Sequence, residues 1–131
     1  MKRSSVVLAD DDEPVLEVIR RLVEPHFDVL GTANDGAALC ELVERTKPEV
    51  VLLDVSMPVM NGIEAVKRLR KIGFCGKLVF LTVHRDPVLA EEAITCGAQG
   101  YVLKDFADRE LVGAIREALK GRVFLSAALK Q

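Results

Sequence analysis

The sequence predicts an α/β domain in which a parallel sheet is covered by helices on both faces. Two observations carry that expectation: short, wholly apolar runs recur along the chain, and between them lie segments whose apolar residues return at three- and four-residue intervals. Strands that are apolar at every position are those buried on both sides, as in parallel sheets. Parallel neighbours cannot be joined by hairpins, so the intervening helices serve as right-handed crossovers. A length of 131 residues suits one domain with a single core.

Val6-Val7-Leu8-Ala9, bounded by Asp10, Asp11 and Asp12, is the first strand. In the helix that follows, Val15, Leu16, Val18, Ile19, Leu22 and Val23 make the apolar stripe; Pro14 suits its first turn, Asp11 or Asp12 can cap it, and Pro25 stops it. Phe27 to Thr32 reads as a short second strand. Asn34-Asp35-Gly36 opens a second helix through Leu39, Leu42 and Val43, which ends before Pro48 because a residue preceding proline is pushed out of helical geometry. Val50-Val51-Leu52-Leu53 is the third and most strongly marked strand. After a loop from Asp54 to Asn61, a third helix carries Ile63, Val66, Leu69 and Arg70 towards Gly73, and Leu78-Val79-Phe80-Leu81 makes the fourth strand. Asp86 is the expected N-cap and Pro87 the first residue of the next helix, with Leu89, Ala93 and Ile94 inward and Gly97 as its stop. Tyr101-Val102-Leu103 is the fifth strand. The last helix runs from about Phe106 to Lys120, with Leu111, Ile115, Ala118 and Leu119 on one stripe, and Gly121 closes it.

Composition excludes several classes of function. Hydrophobic residues make up 50% of the chain and charged residues 29%, which sets aside a disordered tail. A formal charge of −2 lacks the excess of positive charge that binding a phosphate backbone needs, so this segment is not expected to bind nucleic acid directly. No apolar run approaches the roughly eighteen residues of a membrane span, and Met1-Lys2-Arg3 leads straight into a strand that ends in acids, so a soluble cytoplasmic chain with no membrane contact is expected. Cys40, Cys75 and Cys96 are odd in number and include no Cys-x-x-Cys pair, which suggests neither a disulfide framework nor a zinc site.

In an open parallel sheet, ligands bind beyond the carboxyl ends of the strands, near the place where strand order reverses. Here the first strand ends in Asp10-Asp11, the third in Asp54, the fourth in Thr82 and the fifth in Lys104. Singly, each has an ordinary structural explanation: acids cap helices, and threonine favours strands. Together they form a constellation. If the first and third strands are neighbours, Asp10, Asp11 and Asp54 converge, and two carboxylates about 5 Å apart repel by roughly 3 kcal/mol at an effective dielectric of about 20. Such a cluster needs a cation. Three acids at a mouth open to solvent, with no histidine or thiolate among them, suit a magnesium ion that keeps waters and accepts phosphate oxygens, rather than a closed calcium or zinc cage. One carboxylate could then act as a nucleophile towards phosphorus, giving an acyl phosphate whose charge the ion and Lys104 offset, while the Thr82 hydroxyl donates to a phosphoryl oxygen.

Asp10-Asp11 after the first strand, Leu52-Leu53-Asp54-Val55-Ser56-Met57-Pro58-Val59-Met60-Asn61-Gly62, Thr82 after the fourth strand, and Gly100-Tyr101-Val102-Leu103-Lys104-Asp105 resemble the response-regulator receiver domain of bacterial two-component systems. The match runs from residue 5 to about 120 in the same order. The resemblance implies a flavodoxin-like (βα)5 three-layer sandwich, the CheY-like fold, with a five-stranded parallel sheet in the order 2-1-3-4-5. It implies Asp54 as phosphoacceptor and Lys104 as the partner of the phosphoryl group. Asp10, Asp11, Asp54 and the backbone carbonyl of Ser56 would be magnesium ligands. The donor would be a phosphohistidine on a sensor histidine kinase or a phosphotransfer protein. A switch is also implied, in which Thr82 moves towards the phosphate and Tyr101, the sole tyrosine, turns inward into the space vacated. Such a domain is a signalling phosphoacceptor that catalyses only its own phosphorylation and dephosphorylation, and it controls an output such as transcription through an attached or separate module.

This chain departs from many receivers in having Asp105 where they have a proline after the lysine. Lys104-Asp105 is similar to receivers of the NarL/FixJ type, which join a helix-turn-helix module, and Gly121-Arg122-Val123-Phe124-Leu125-Ser126 is similar to the linker that begins there. Residues 1–121 are therefore expected to form the receiver domain, and 122–131 a tail or the start of a linker to an output domain that these residues do not include. Val123, Phe124 and Leu125 would pack on the domain or contact that module. Met57-Pro58 and Asn61-Gly62 shape the loop after Asp54, the proline fixing φ and the glycine tolerating positive φ. His84, two residues beyond Thr82, is an ordinary surface histidine, a tuner of phosphate lifetime at the rim of the pocket, or a group with a phosphorelay or metal role, and His26 is structural. Two other functions compete. A haloacid-dehalogenase-like phosphohydrolase would need a second acid two residues after the phosphoacceptor, where this chain has Ser56, and room for a cap domain. A pseudo-receiver would keep the fold without the chemistry, which the complete residue set argues against. Phosphorylation-dependent formation of a homodimer is expected through the last two helices and the strand between them.

Overall fold

Successive residues of a strand face opposite sides of a sheet, and this chain buries both sides. The computed structural model describes residues 3–130. Its strands are β1 (Ser5–Ala9), β2 (Asp28–Ala33), β3 (Val50–Leu53), β4 (Lys77–Thr82), β5 (Gly100–Leu103) and β6 (Phe124–Leu125). All pair in parallel, in the spatial order β2-β1-β3-β4-β5-β6. The connecting helices are α1 (Glu13–Val23), α2 (Gly36–Thr46), α3 (Gly62–Lys71), α4 (Pro87–Thr95) and α5 (Ala107–Leu119). Val6, Leu8, Val50, Leu52, Val79 and Val102 pack against Leu16 and Ile19 of α1 and Leu111 and Ile115 of α5. Their alternates Val7, Val51, Leu53, Phe80 and Tyr101 pack against α2, α3 and α4. This is the expected three-layer α/β architecture. None of the helices described is long and apolar enough to cross a membrane.

The sheet has six strands where five were expected. Phe124 and Leu125 lie on the free edge of β5: the Phe124 N–H donates to the Gln99 carbonyl at 2.9 Å and the Ser126 N–H to the Tyr101 carbonyl at 3.0 Å. Ser126 is wholly buried, and its hydroxyl accepts from the Leu103 N–H at 2.8 Å and donates to the Glu110 carboxylate on α5. An unpaired edge exposes backbone donors and acceptors, and a two-residue strand is enough to occupy them here. A run of two residues carries no periodicity, so it gives no strand signal. Val123, next to it, is exposed.

Helix ends follow the sequence closely. Asp12, rather than Asp11, caps α1 by accepting from the Val15 N–H, and Asp35 and Asp86 cap α2 and α4 in the same way. Asn61 and Glu64 form a reciprocal capping box at the start of α3. On α4 the fully buried residues are Ala90 and Ala93, while Leu89 and Ile94 are half-buried. A 3-10 turn, Lys104–Phe106, precedes α5, which therefore starts one residue later than expected.

The reason for Gly62 differs from the one expected. Its φ is not positive; instead a Cβ there would lie 2.1 Å from the Asp54 carbonyl oxygen and 2.8 Å from the Phe80 ring. The left-handed position in this loop belongs to Val59, with φ at 69°. Close approach of α3 to the end of β3 is thus what demands glycine. Gly62→Ala is expected to destabilise the domain by about 2 kcal/mol or more in urea unfolding, through overpacking against backbone that cannot yield. Gly113→Ala, in an exposed helical turn where a Cβ meets nothing within 4 Å, is expected to stabilise it by about 0.5–1 kcal/mol in the same measurement.

Candidate functional site

Parallel pairing in register brings the strand ends level. Ala9 pairs with Leu53, and the Asp54 N–H donates to the Ala9 carbonyl at 3.1 Å, so the residues that follow β1 and β3 emerge side by side. Asp10, Asp11 and Asp54 each offer a carboxylate oxygen within 4.8 Å of the others. Asp10 is 1% exposed and Asp54 is 5% exposed, whereas Asp11 faces solvent. Thr82 pairs with Leu103, which places Lys104 just past the end of β4. From there its ammonium lies 2.6 Å from Asp10 Oδ2 and 2.9 Å from Asp54 Oδ2.

Burial is the largest influence on Asp10 and raises its pKa above the ordinary aspartate value, although Lys104 and the N–H of Asp12, 2.9 Å from its Oδ1, pull the other way. Burial alone would lower the Lys104 pKa, but the hydrogen bonds and charges of Asp10 and Asp54 outweigh it, and the lysine stays firmly protonated. Two buried carboxylates thus share one ammonium, with a third at the rim. Asp10 Oδ2 is buried and, for all its closeness to the lysine, receives no aligned hydrogen bond. Three carboxylates sharing one ammonium, open to solvent on the Asp11 side, fit a hard divalent cation with oxygen ligands.

Around the acids the structure places the remaining expected residues. The Ser56 N–H points back at Asp54 Oδ1 at 3.4 Å. Thr82 is fully buried, and its hydroxyl oxygen accepts the His84 N–H at 3.3 Å. Tyr101 is fully buried beside Phe80, and its hydroxyl donates to the His84 carbonyl at 2.7 Å. Burial and the nearby acids push its pKa up. One contact has no counterpart in the sequence reading: the Ser56 hydroxyl and the His84 ring nitrogen Nε2 are 2.7 Å apart, joining the loops after β3 and β4. Residues twenty-eight positions apart give no local pattern that would reveal it. His26 lies away from the acids, against Phe27 and within 3.4 Å of Arg116.

A doubly wound parallel sheet with paired acids, a buried threonine and a lysine at its carboxyl edge defines a class of aspartate-centred signalling domains. The particular family follows from comparison. The sequence model of the response regulator receiver domain matches residues 6–116, and the chain belongs to that family. It is 36% identical over 130 residues to the nitrate/nitrite response regulator protein NarL of Escherichia coli K12, covering 95% of this chain and 59% of that protein. It is 42% identical over 118 residues to the uncharacterized transcriptional regulatory protein YxjL of Bacillus subtilis, covering 88% of this chain and 54% of that one. The chain therefore spans somewhat more than half the length of these curated relatives. Among solved structures, a LuxR-family two-component response regulator from Aurantimonas superposes with a TM-score of 0.94 at 33% identity, covering 99% of this chain and 94% of that one. The receiver domain of the NarL regulator of Mycobacterium tuberculosis gives 0.87 at 32% identity, covering 93% and 100%. The chain is thus a receiver domain of the NarL/LuxR type, a signalling domain rather than a classical enzyme.

Because burial already disfavours the charged form of Asp10, Asp10→Asn is expected to raise the melting temperature of the metal-free domain by a few degrees. Added magnesium should raise the melting temperature of the unsubstituted domain and leave that of Asp10→Asn nearly unchanged, as read by differential scanning calorimetry.

Proposed function

We propose that this domain accepts a phosphoryl group on Asp54 from a phosphohistidine of a sensor histidine kinase or phosphotransfer protein, and that the modification changes its conformation to control an output. The observation that supports this most directly is Lys104 Nζ, placed 2.6 Å from Asp10 and 2.9 Å from Asp54. In the transfer, a carboxylate oxygen of Asp54 forms a bond to phosphorus as the phosphorus–nitrogen bond of the donor breaks, and the imidazole leaves as a neutral ring once protonated. Lys104 is already positioned beside the oxygen that would be modified, so it can offset the charge arriving there without reorganisation. A magnesium ion held by Asp10, Asp11, Asp54 and the Ser56 carbonyl would supply the remaining neutralisation of phosphoryl oxygens. Thr82 and Tyr101 are read as the switch pair, and His84 as a candidate for tuning phosphate lifetime at the rim.

A protein donor needs a shoulder to rest on, and an apolar cleft lined by Pro14, Val18, Leu22, Val83 and Ala107 adjoins the site at Lys104. Residues 1–121 are read as the receiver unit, and 122–131 as a tail or the beginning of a linker. The longer relatives include a protein described as a transcriptional regulator, so control of transcription through an attached or separate module is the proposed output. The site of action is the cytoplasm, where such kinases present their phosphohistidine, and direct nucleic-acid binding is assigned to the output module rather than this segment.

Asp54→Asn is expected to abolish magnesium-dependent labelling by acetyl phosphate, followed on phosphate-affinity gels; normal labelling of that variant would overturn the assignment. Beryllofluoride with magnesium is expected to increase self-association of the unsubstituted domain in analytical ultracentrifugation, and equal sedimentation with and without it would remove the homodimer from this reading.

A further inference from the structure

His84 is a junction. Its backbone N–H donates to Thr82 Oγ1, its carbonyl accepts from the Tyr101 hydroxyl, and its ring meets the Ser56 hydroxyl on the opposite loop. The segment that carries it, residues 83–86, has no regular structure, and its neighbour Val83 is largely exposed. The only other side-chain anchor described for this loop before the Asp86 cap is the Arg85 guanidinium, 5.6 Å from the Phe106 ring centroid. The carbonyl on which Tyr101 depends is therefore fixed in space chiefly by what fixes His84. Ser56, by contrast, stands on a well-anchored support: Asp54 is tied to β1, Met57 is buried, and the Gly62 N–H donates to the Val55 carbonyl at 2.7 Å.

We propose that the Ser56–His84 side-chain hydrogen bond is a positioning device that holds the β4–α4 loop against the β3–α3 loop, and so biases Tyr101 towards the inward position that the switch reading assigns to the phosphorylated domain. Ser56 acts here through its side chain alone, and His84 as a positioning residue through its carbonyl. The resting place of the tyrosine ring is then set by a contact between two loops. The regulatory meaning of this rests on the reading of Tyr101 as the switch residue; the contact and its effect on the ring do not.

With a single tyrosine and no tryptophan, intrinsic fluorescence reports on Tyr101 alone. Acrylamide quenching of the unmodified domain is expected to be weak. Ser56→Ala, which leaves the backbone carbonyl in place, and His84→Ala should each shift the ratio of inward to outward ring about fivefold towards outward, the weight of one net hydrogen bond, and raise quenching accordingly. The double variant should quench no more than either single one, because both remove the same contact. Ser56→Thr, which keeps a hydroxyl, should restore weak quenching. Far-UV circular dichroism identifies any variant that has unfolded, and for such a variant the paired Ser56→Thr comparison decides. Unchanged quenching in folded Ser56→Ala and His84→Ala would overturn the proposal, as would Ser56→Thr behaving like Ser56→Ala. Quenching of the unmodified domain is read without any phosphodonor, so a failure of the phosphoacceptor reading would show in acetyl phosphate labelling and not here.

Discussion

The Lys104 ammonium is shared by two buried carboxylates that come from different strands, and most of what surrounds it exists to make that sharing stable. Removing the lysine would leave two buried carboxylates uncompensated, at a cost on the order of 3–5 kcal/mol, whereas neutralising Asp10 leaves the pair of Lys104 with Asp54 in place. Asp10 and Asp54 cannot both be buried without a cation, and Lys104 cannot be drawn in without them. The lysine sits past the end of β5, two strand spacings or roughly 10 Å from β3, so only a long, flexible stem can bring its charge across the end of β4. The shared ammonium also leaves the site unfinished. Three carboxylates against one lysine still favour a further cation, and a group that brings negative phosphoryl oxygens would compete for the same lysine.

β5 links this charge cluster to the rest of the surface. Lys104 follows its last residue, Tyr101 lies within it, and the backbone groups of Tyr101 and Leu103 hold the C-terminal segment through Ser126. Glu110 closes the arrangement by accepting from both the Ser126 hydroxyl and the Ala127 N–H. A shift of β5 is thus felt at the acids, at the His84 carbonyl and at the chain leaving the domain. The proposed switch would need two packings of β5 that differ by only a few kcal/mol, a difference that hydrogen bonds of this number and burial can supply.

Much of this was legible in the sequence, for a physical reason. Val50-Val51-Leu52-Leu53 and its counterparts announce doubly buried strands, and residues that follow such strands must lie along one edge, so Asp10, Asp54, Thr82 and Lys104 could be gathered from their positions alone. Asp86 as a cap and Asn34-Asp35-Gly36 as the opening of α2 were equally plain, because capping is local chemistry, whereas Asn61 was read only as part of the loop that it ends. What escaped depends on distant groups. Phe124-Leu125 is a strand only because β5 has a free edge. Gly62 is required by the Asp54 carbonyl rather than by its own φ. Arg70 was read as one more residue of the third helix; its guanidinium in fact donates to the carbonyls of Phe74, Gly76 and Gly97 and to the Gln99 side chain, binding together the loops at the far end of the sheet. Burial lowers its pKa, yet four acceptors keep a charge there tolerable.

The two loops that face each other across the mouth of the site differ in how firmly they are built. The loop from Asp54 to Asn61 is tied to β1 at its start and to the capping box of α3 at its end, and the burial of Met57 pins its middle. At its apex the Met60 N–H donates to the Pro58 carbonyl at 2.7 Å around Val59, whose positive φ is unfavourable for a β-branched residue by about 1–3 kcal/mol. Strain of that size persists only where the surroundings over-determine the backbone, and here they do. The loop from Val83 to Asp86 has no comparable framework: it is short of buried side chains and is held through His84 and Arg85. Under the proposed phosphorylation of Asp54, the stiff side would keep its geometry and the compliant side would take up the movement. Thr82, His84 and Tyr101 all lie on or against the compliant side, which is where the proposed switch would need its movement to fall.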